Sequence, residues 1–256
     1  MQQVAHKWNA QLYNEKHAFV YDYGKSLISL LAPKTNERIL DLGCGSGELT
    51  SEIGDLAPAV LGIDKSEEMI AQARFNFPSL EFYVGDATNF SFEEKFDAIF
   101  SNATLHWVVA FEKAIENMYA NLKKGGRLVL EFGGKDNVKT ITDTLRYSLV
   151  QKRYHKQSET KVWYFPSIGE YTSVLETNGF KVTFAQWFDR PTILVDENSG
   201  IKDWLRMFGG PFFEGVEPND VDTIIEEVQN NVKAKLFQRG KWFADYKRIR
   251  VVAYKQ

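Results

Sequence analysis

A short apolar run that breaks into three alternate glycines, ILDLGCGSGELT over residues 39–50, constrains this chain more than any other stretch. Glycine loses more backbone freedom on folding than any other residue, so Gly43, Gly45 and Gly47 would weaken the interior of a helix or strand. Their place directly after RILDL (38–42) marks a strand that ends in a tight loop. Something must approach that loop closely: a phosphate, a nucleoside-type cofactor, or the protein itself in a plain turn.

The spacing narrows the choice. The dinucleotide fingerprint asks for G-x-G-x-x-G, whose third glycine lets helix and strand pack closely. Counted from Gly43, that third position is Glu48, which speaks against a nicotinamide oxidoreductase. No Gly-Lys-Ser/Thr follows, so the phosphate-binding P-loop fails too.

Strand-like and helix-like segments then alternate. VLGID (60–64), LEFYV (80–84), DAIFS (97–101) and RLVLEF (127–132) read as strands. Leu49, Ile53 and Leu56 have helical spacing, SEEMIAQARFNF opens on an N-cap serine and two acids, and FEKAIENMYANL (111–122) is amphipathic. Gly125 and Gly126 are expected to end that last helix. Such alternation predicts an α/β, doubly wound, mostly parallel sheet with right-handed crossovers. After about residue 135 helical patterns dominate, interrupted by the alternating strands KVTFAQWFD (181–189) and YKRIRVVAYK, which fit an antiparallel edge pair under a helical cover.

Composition excludes several classes. A net charge of −3 with interspersed signs argues against a nucleic-acid partner. The single cysteine, Cys44, permits no internal disulfide and favours a cytoplasmic location; it reads as a small loop residue, not a nucleophile. No signal-peptide core opens the chain, no run approaches the roughly 20 apolar residues a membrane span needs, and no cluster has metal-ligand spacing. Expected partners are therefore a small-molecule substrate, no nucleic acid and no membrane, with a monomer as the expected state and a dimer as the alternative.

In open α/β sheets, ligands sit outside the carboxyl ends of the strands where the chain order reverses. Asp64 ends the second strand, where a carboxylate can accept two hydrogen bonds from a ribose diol; a capping or turn aspartate is the plainer alternative. Asp86 follows the third strand and fits either an adenine amino group or an ordinary Asx-turn.

Together, DLGCGSG (41–47), GIDKS (62–66), GDATNF (85–90), FDAIFSNATLHW (96–107) and LKKGGRLVLEF (122–132) resemble the class I S-adenosylmethionine-dependent methyltransferases. The resemblance implies a Rossmann-like, seven-stranded, mostly parallel sheet with an antiparallel C-terminal strand. It implies an N-terminal helical cap over the cofactor (1–35), a cofactor-binding core (36–134), and a helical cover with the remaining strands of the same domain (135–256). It also implies S-adenosylmethionine as cofactor, with Gly43, Gly45 and Gly47 near its methionine part and Asp64, with Lys65 in the same set, at the ribose. Asp86 and Ala87 would hold the adenine, and Ser101 and Asn102 would face the methionine amino group. Met69 would line the adenine pocket, unless core packing beside Ile70 and Ala73 explains it.

WNAQLY (8–13), SNATLHW (101–107), IKDWLRMFG (201–209) and RIRVVAYK (248–255) are most similar to the trans-aconitate methyltransferase-like branch. A small-molecule acceptor is expected, a carboxylate ahead of an amine, hydroxyl or lipid. A protein that binds the cofactor without catalysis is the rival from another class. A carboxylate is already ionised at neutral pH and needs a cationic or hydrogen-bonding clamp; a hydroxyl or amine more often needs a base. His106, just past the fourth strand, is a candidate base, a candidate substrate donor, or a structural histidine. Trp107 beside it walls the pocket or anchors the loop. Arg206 is the preferred carboxylate clamp, against a solvated helix arginine, and Trp163, Arg190 and Trp204 are further substrate candidates. Tyr13, with Trp8 and His17, lies in the segment that folds over the cofactor in relatives, although Tyr13, His17 and Tyr21 also space as one helix face.

Overall fold

The structure, a computed structural model, describes residues 26–256. The expected N-terminal cap therefore falls largely outside the described residues, as do Trp8, Tyr13, His17 and Tyr21. Helix α1 covers residues 26–31. The core continues as β1 (Arg38–Leu42), α2 (Glu48–Gly54), β2 (Ala59–Asp64), α3 (Glu67–Asn76), β3 (Glu81–Val84), β4 (Phe96–Asn102), a 3-10 turn (Leu105–Trp107), α4 (Phe111–Asn121) and β5 (Leu122–Gly133). Then come α5 (Lys139–Gln151), α6 (His155–Ser158), α7 (Ile168–Thr177), β6 (Phe180–Ile193), α8 (Gly200–Phe208), a second 3-10 turn (Gly210–Phe213), α9 (Pro218–Leu236), β7 (Phe237–Gln238) and β8 (Lys241–Lys255).

The sheet runs in the order β3-β2-β1-β4-β5-β8-β6, with β7 paired to β8 off this path. Strands β1 to β5 pair in parallel, and β8 lies antiparallel to β5. The chain order therefore reverses between β1 and β4, which fixes the ligand position at the carboxyl ends of those two strands. This is the doubly wound α/β architecture the alternation predicted. The two late strands lie together at one end of the sheet, β8 next to β5 and β6 at the edge.

Period-two alternation sends successive side chains to opposite faces. Leu40, Ile99, Leu130 and Val251 pack with α4 and α7 on one side, through Ile115, Met118, Tyr171 and Leu175. Ile39, Phe100, Val129 and Val252 pack with Leu27, Leu31, Leu49 and Ile53 of α1 and α2 on the other.

One expectation fails locally. Gly125 and Gly126 do not end α4, which stops at Asn121; both lie inside β5. The β4–β5 register shifts between Phe96 and Ala98, a bulge on the β5 side. Gly125 has φ +77°, and a Cβ on Gly126 would stand 2.9 Å from the Lys123 carbonyl and 3.0 Å from that of Asp97. The pair serves the irregularity in the strand, not the helix end.

The described chain divides into two compact units. One holds residues 26–135, 163–188 and 248–256, with the parallel sheet and its two faces. The other holds residues 136–162 and 189–247, with α5, α6, α8, α9 and the β7–β8 pairing at Phe237↔Trp242. In this second unit the indole N–H of Trp204 donates to the Tyr246 hydroxyl at 2.7 Å, both side chains being buried. No helix among the described residues is long and apolar enough to cross a membrane.

Candidate active site

The glycine loop is built chiefly by the protein around itself. A Cβ on Gly43 (φ +79°) would fall 2.2 Å from the Thr104 side chain, and one on Gly47 (φ +93°) would fall 2.8 Å from the Phe82 ring. Gly45 (φ +55°) differs, since a Cβ there would meet nothing within 4 Å. Two of the three glycines thus accommodate protein neighbours, and the middle one faces open space.

Side chains bind the neighbouring loops to this one. Asp64, at the end of β2, accepts from the Gly45 N–H at 3.0 Å and from the Ser66 N–H at 2.8 Å. Burial raises its pKa against the pull of those donors. The Lys65 backbone N–H is a third donor to the same carboxylate. Lys65 pairs with Asp86 at 2.9 Å, while the Thr88 N–H and hydroxyl donate to the other Asp86 oxygen at 2.9 and 2.7 Å. Burial alone would raise the Asp86 pKa, but Lys65 and the Thr88 donors outweigh it and hold it below the usual range. Of the two readings of Asp86, these Thr88 bonds are those of the Asx-turn.

Met69 is buried in the first turn of α3, where its N–H donates to the N-cap Ser66 at 3.3 Å. Ala87 is buried, and its carbonyl accepts from Asn117 at 3.2 Å. The hydroxyl of Ser101 is fully buried and donates to the Leu42 carbonyl at 2.7 Å, which ties β4 to β1. Asn102 ends β4, and its carbonyl accepts from Thr104 at 3.2 Å. Thr104 also donates to the Gly43 carbonyl at 3.1 Å. The Cys44 thiol packs with Ile70, Ala73 and Phe82, and burial pushes its pKa well up, away from nucleophile chemistry.

Asp41 carries no expectation from the sequence, yet it lies directly beneath the loop. It is 2 % exposed and accepts from the Thr50 hydroxyl at 2.7 Å. Burial pushes its pKa up to about 7, and the charges of Asp64 and Glu48 act the same way. An acid in the middle of an apolar strand was the available signal.

His106 follows β4 in the 3-10 turn and is 8 % exposed. The backbone N–H of Gly133, the last residue of β5, donates to its Nδ1 at 3.3 Å. Burial, aided by the charge of Arg248, holds its pKa well below the usual imidazole range, so the ring is neutral. With Nδ1 accepting, the neutral ring carries its proton on Nε2. The carbonyl of His106 accepts from the Tyr164 N–H at 2.8 Å, and Lys135 N–H donates to the Pro166 carbonyl at 2.8 Å. These bonds hold the segment 163–166 beside the strand ends. They close a circle of rings: His106–Trp107 5.6 Å, Trp107–Trp163 5.5 Å, Trp163–Phe165 5.7 Å and Phe165–His106 5.8 Å.

The remaining candidates lie in the other unit. Arg206 is half exposed at 51 % and pairs with Asp222 at 3.3 Å, the geometry of a solvated helix arginine. Trp204 is bonded into its own unit through Tyr246, and the Arg190 carbonyl accepts from Thr192 at 3.0 Å. Among the described residues, no group of three His, Cys, Asp or Glu side chains is placed to hold a metal ion.

A methyltransferase-domain family model matches residues 33–179. An uncharacterized methyltransferase of Schizosaccharomyces pombe is 32% identical over 97% of this chain and 98% of its own length. The trans-aconitate 2-methyltransferase of Escherichia coli is 26% identical over 96% and 97%. Among solved structures, a phosphoethanolamine N-methyltransferase of Haemonchus contortus, bound to phosphomonomethylethanolamine and S-adenosylhomocysteine, shares the fold at TM-score 0.58 and 16% identity, covering 90-odd per cent of this chain (96%) and 56% of that one. A sheet that reverses at the glycine loop, a carboxylate at the end of its second strand and these matches agree: the chain belongs to the S-adenosylmethionine-dependent methyltransferases.

Proposed function

We propose that this protein transfers a methyl group from S-adenosylmethionine to a carboxylate oxygen of a small molecule. The residues at the sheet edge fit the cofactor. Gly45 leaves open space beside the loop, and Asp64 places a carboxylate, bonded by the Gly45, Lys65 and Ser66 backbone, at the end of β2 where a ribose hydroxyl can donate to it. Lys65, Met69, Asp86, Ala87 and Asn102 surround the same edge and would hold the nucleoside and the methionine end.

The observation that carries the choice of acceptor is the fixed tautomer of His106. Its Nδ1 is taken by the Gly133 N–H, so it offers an acceptor the Nε2 proton and no lone pair. A general base needs the reverse, and the reverse would set an imidazole N–H against the Gly133 N–H. His106 therefore acts as a hydrogen-bond donor, which suits an anionic oxygen. When bound, the cofactor supplies a sulfonium methyl; the acceptor oxygen forms the new bond to carbon while sulfur keeps the old bonding pair, and no proton moves. What the chain contributes is alignment and exclusion of water, which is the main requirement of an in-line displacement. Trp107, Trp163 and Phe165 make the walls for that exclusion. The trans-aconitate methyltransferase name of the Escherichia coli relative supports a carboxylate acceptor, and the net charge of −3 disfavours a nucleic acid.

The test is a radiolabelled methyl-transfer screen over trans-aconitate, citrate, malonate, small amines and phenols. A base-labile methyl ester from a carboxylate is expected. Transfer to amines or phenols alone overturns the reading.

A further inference from the structure

We propose that Ala103 and Thr104 are positioning residues, which set the spacing between the cofactor loop after β1 and the His106 turn that meets the acceptor. The inference rests on methyl transfer at this edge and on His106 facing the acceptor. It holds whichever acceptor atom is methylated.

Ala103 follows the last residue of β4 with φ +57°, in the left-handed region that favours glycine. Three other left-handed residues have ordinary places: Ala32 and Arg153 follow the ends of α1 and α5, and Arg239 turns the chain between β7 and β8. Ala103 instead ends a central strand. Its N–H still donates to the Glu131 carbonyl at 2.7 Å, just past the last β4–β5 pairing at Asn102↔Glu131. The chain then folds back over the sheet edge.

That reversal puts Thr104 between two loops. Its side chain occupies the place where a Cβ on Gly43 would stand, and its hydroxyl lies 3.1 Å from the Gly43 carbonyl and 3.2 Å from that of Asn102. The Thr104 carbonyl accepts from the Trp107 N–H at 2.9 Å, closing the 3-10 turn that carries His106. The His106 ring is fixed in turn by Gly133, two residues along β5 from the carbonyl that holds Ala103. Thr104 therefore touches the donor loop with its side chain and the acceptor turn with its backbone. Alignment of donor and acceptor is what an in-line displacement chiefly requires. Glycine at 103 would adopt this turn freely, but it would admit other conformations as well, because it lacks a Cβ. Alanine gives up stability for a narrower choice, as strained residues at functional sites do.

The test compares wild type with Ala103→Gly, Thr104→Val and Thr104→Ser. Each is measured for its urea midpoint without cofactor and its calorimetric S-adenosylmethionine affinity. Values of kcat and KM are taken with the best acceptor among trans-aconitate, citrate and malonate. Ala103→Gly removes the strain and should hold the urea midpoint at or above the wild-type value. Its kcat should nevertheless fall about 10-fold, short of the roughly 10²-fold that a misplacement of about 1 Å can cost, with KM within about threefold. Thr104→Val keeps the bulk against Gly43 but loses the hydroxyl. Its kcat should also fall about 10-fold, the size of one hydrogen bond, with KM and cofactor affinity within about threefold. Thr104→Ser restores the hydroxyl and should bring kcat back to within about threefold of wild type. Either Ala103→Gly or Thr104→Val retaining kcat within about twofold overturns the proposal. So does a Thr104→Ser protein as slow as Thr104→Val, an Ala103→Gly protein that loses stability along with activity, or a loss that falls on KM or cofactor affinity instead of kcat. Should Thr104→Val fail to fold, Ala103→Gly decides alone. A wild type that methylates only amines or phenols overturns the carboxylate reading and not this one, and the variants are then compared on that acceptor.

Discussion

The N–H of Gly133, at the end of β5, points at Nδ1 of His106, 3.3 Å away in the turn after β4. This one backbone bond decides which of two chemistries the histidine can perform. A side chain that the sequence leaves open as base, donor or scaffold keeps one proton, on Nε2, and has its Nδ1 lone pair already taken.

It follows that the donor matters more than the ring. His106→Gln keeps an N–H donor of comparable reach and should hold kcat/KM for a carboxylate within about tenfold, whereas His106→Phe should lose more, in line with a lost hydrogen bond to a charged group. A base would cost 10²- to 10⁴-fold in either variant. Steady-state kinetics of the two variants separate these outcomes.

The same burial has a pH consequence. The folded pKa of His106 lies well below 6.5, so folding favours the neutral ring. Its contribution to stability is complete above the unfolded value near 6.5 and is lost as pH falls towards the folded value. Between pH 6.5 and 8 the ring should show no titration in the NMR spectrum of the folded protein. A histidine midpoint inside that window, assigned by loss of the signal in His106→Gln, contradicts the description.

Asp41 predicts the opposite trend. Its folded pKa of about 7 lies above the ordinary 3.8, so it favours folding below the unfolded value and progressively disfavours it as pH rises through 7. Converted at 1.36 kcal/mol per pKa unit, the swing amounts to about 4 kcal/mol at most. Asp41→Asn, unfolded in urea without cofactor, should lose most of this contribution to the stability difference between pH 5 and pH 8. A variant with the same pH slope as wild type refutes it.

The three loop glycines should respond differently to alanine. Gly43→Ala meets the Thr104 side chain and a left-handed backbone, so a loss of about 2–4 kcal/mol in urea unfolding is expected. Gly45→Ala carries only the backbone penalty of roughly 1 kcal/mol, yet it should weaken S-adenosylmethionine in calorimetry, because the new methyl occupies the open side of the loop. Equal destabilisation, or a Gly45→Ala protein with unaltered cofactor affinity, contradicts this division of roles.

Asp64→Ala should weaken S-adenosylmethionine by about 30-fold or more, since a carboxylate acceptor disappears together with the support it gives Gly45 and Ser66. An unchanged dissociation constant counts directly against the ribose assignment.

Much of the core was legible because its signals are local. The run RILDL, the caps at Ser66 and the glycine spacing each act within a few residues, and β1, α3 and the loop stand where they were expected. Gly125 and Gly126 misled because a glycine pair reads alike at a helix end and in a bulge, and only the partner strand distinguishes the two. The partner of Arg250 was hidden for a related reason. The alternation of YKRIRVVAYK marks a strand, but nothing local says that Arg250 meets Glu131 across the sheet. Arg206 drew attention by its helix, whereas its pairing with Asp222 needs α9, which is distant in sequence.

The loops along the carboxyl edge of the sheet are laced side to side. Asp64 joins the second to the first, Lys65 and Asp86 join the second to the third, Thr104 joins the fourth to the first, and Gly133 joins the fifth to the fourth. Each stitch connects segments that the chain itself keeps far apart. Damage to one should therefore travel sideways along the rim: double mutants at adjacent stitches will depart from additivity, while pairs taken from opposite faces of the sheet will simply sum. The rim behaves as a single belt, held by the protein's own bonds.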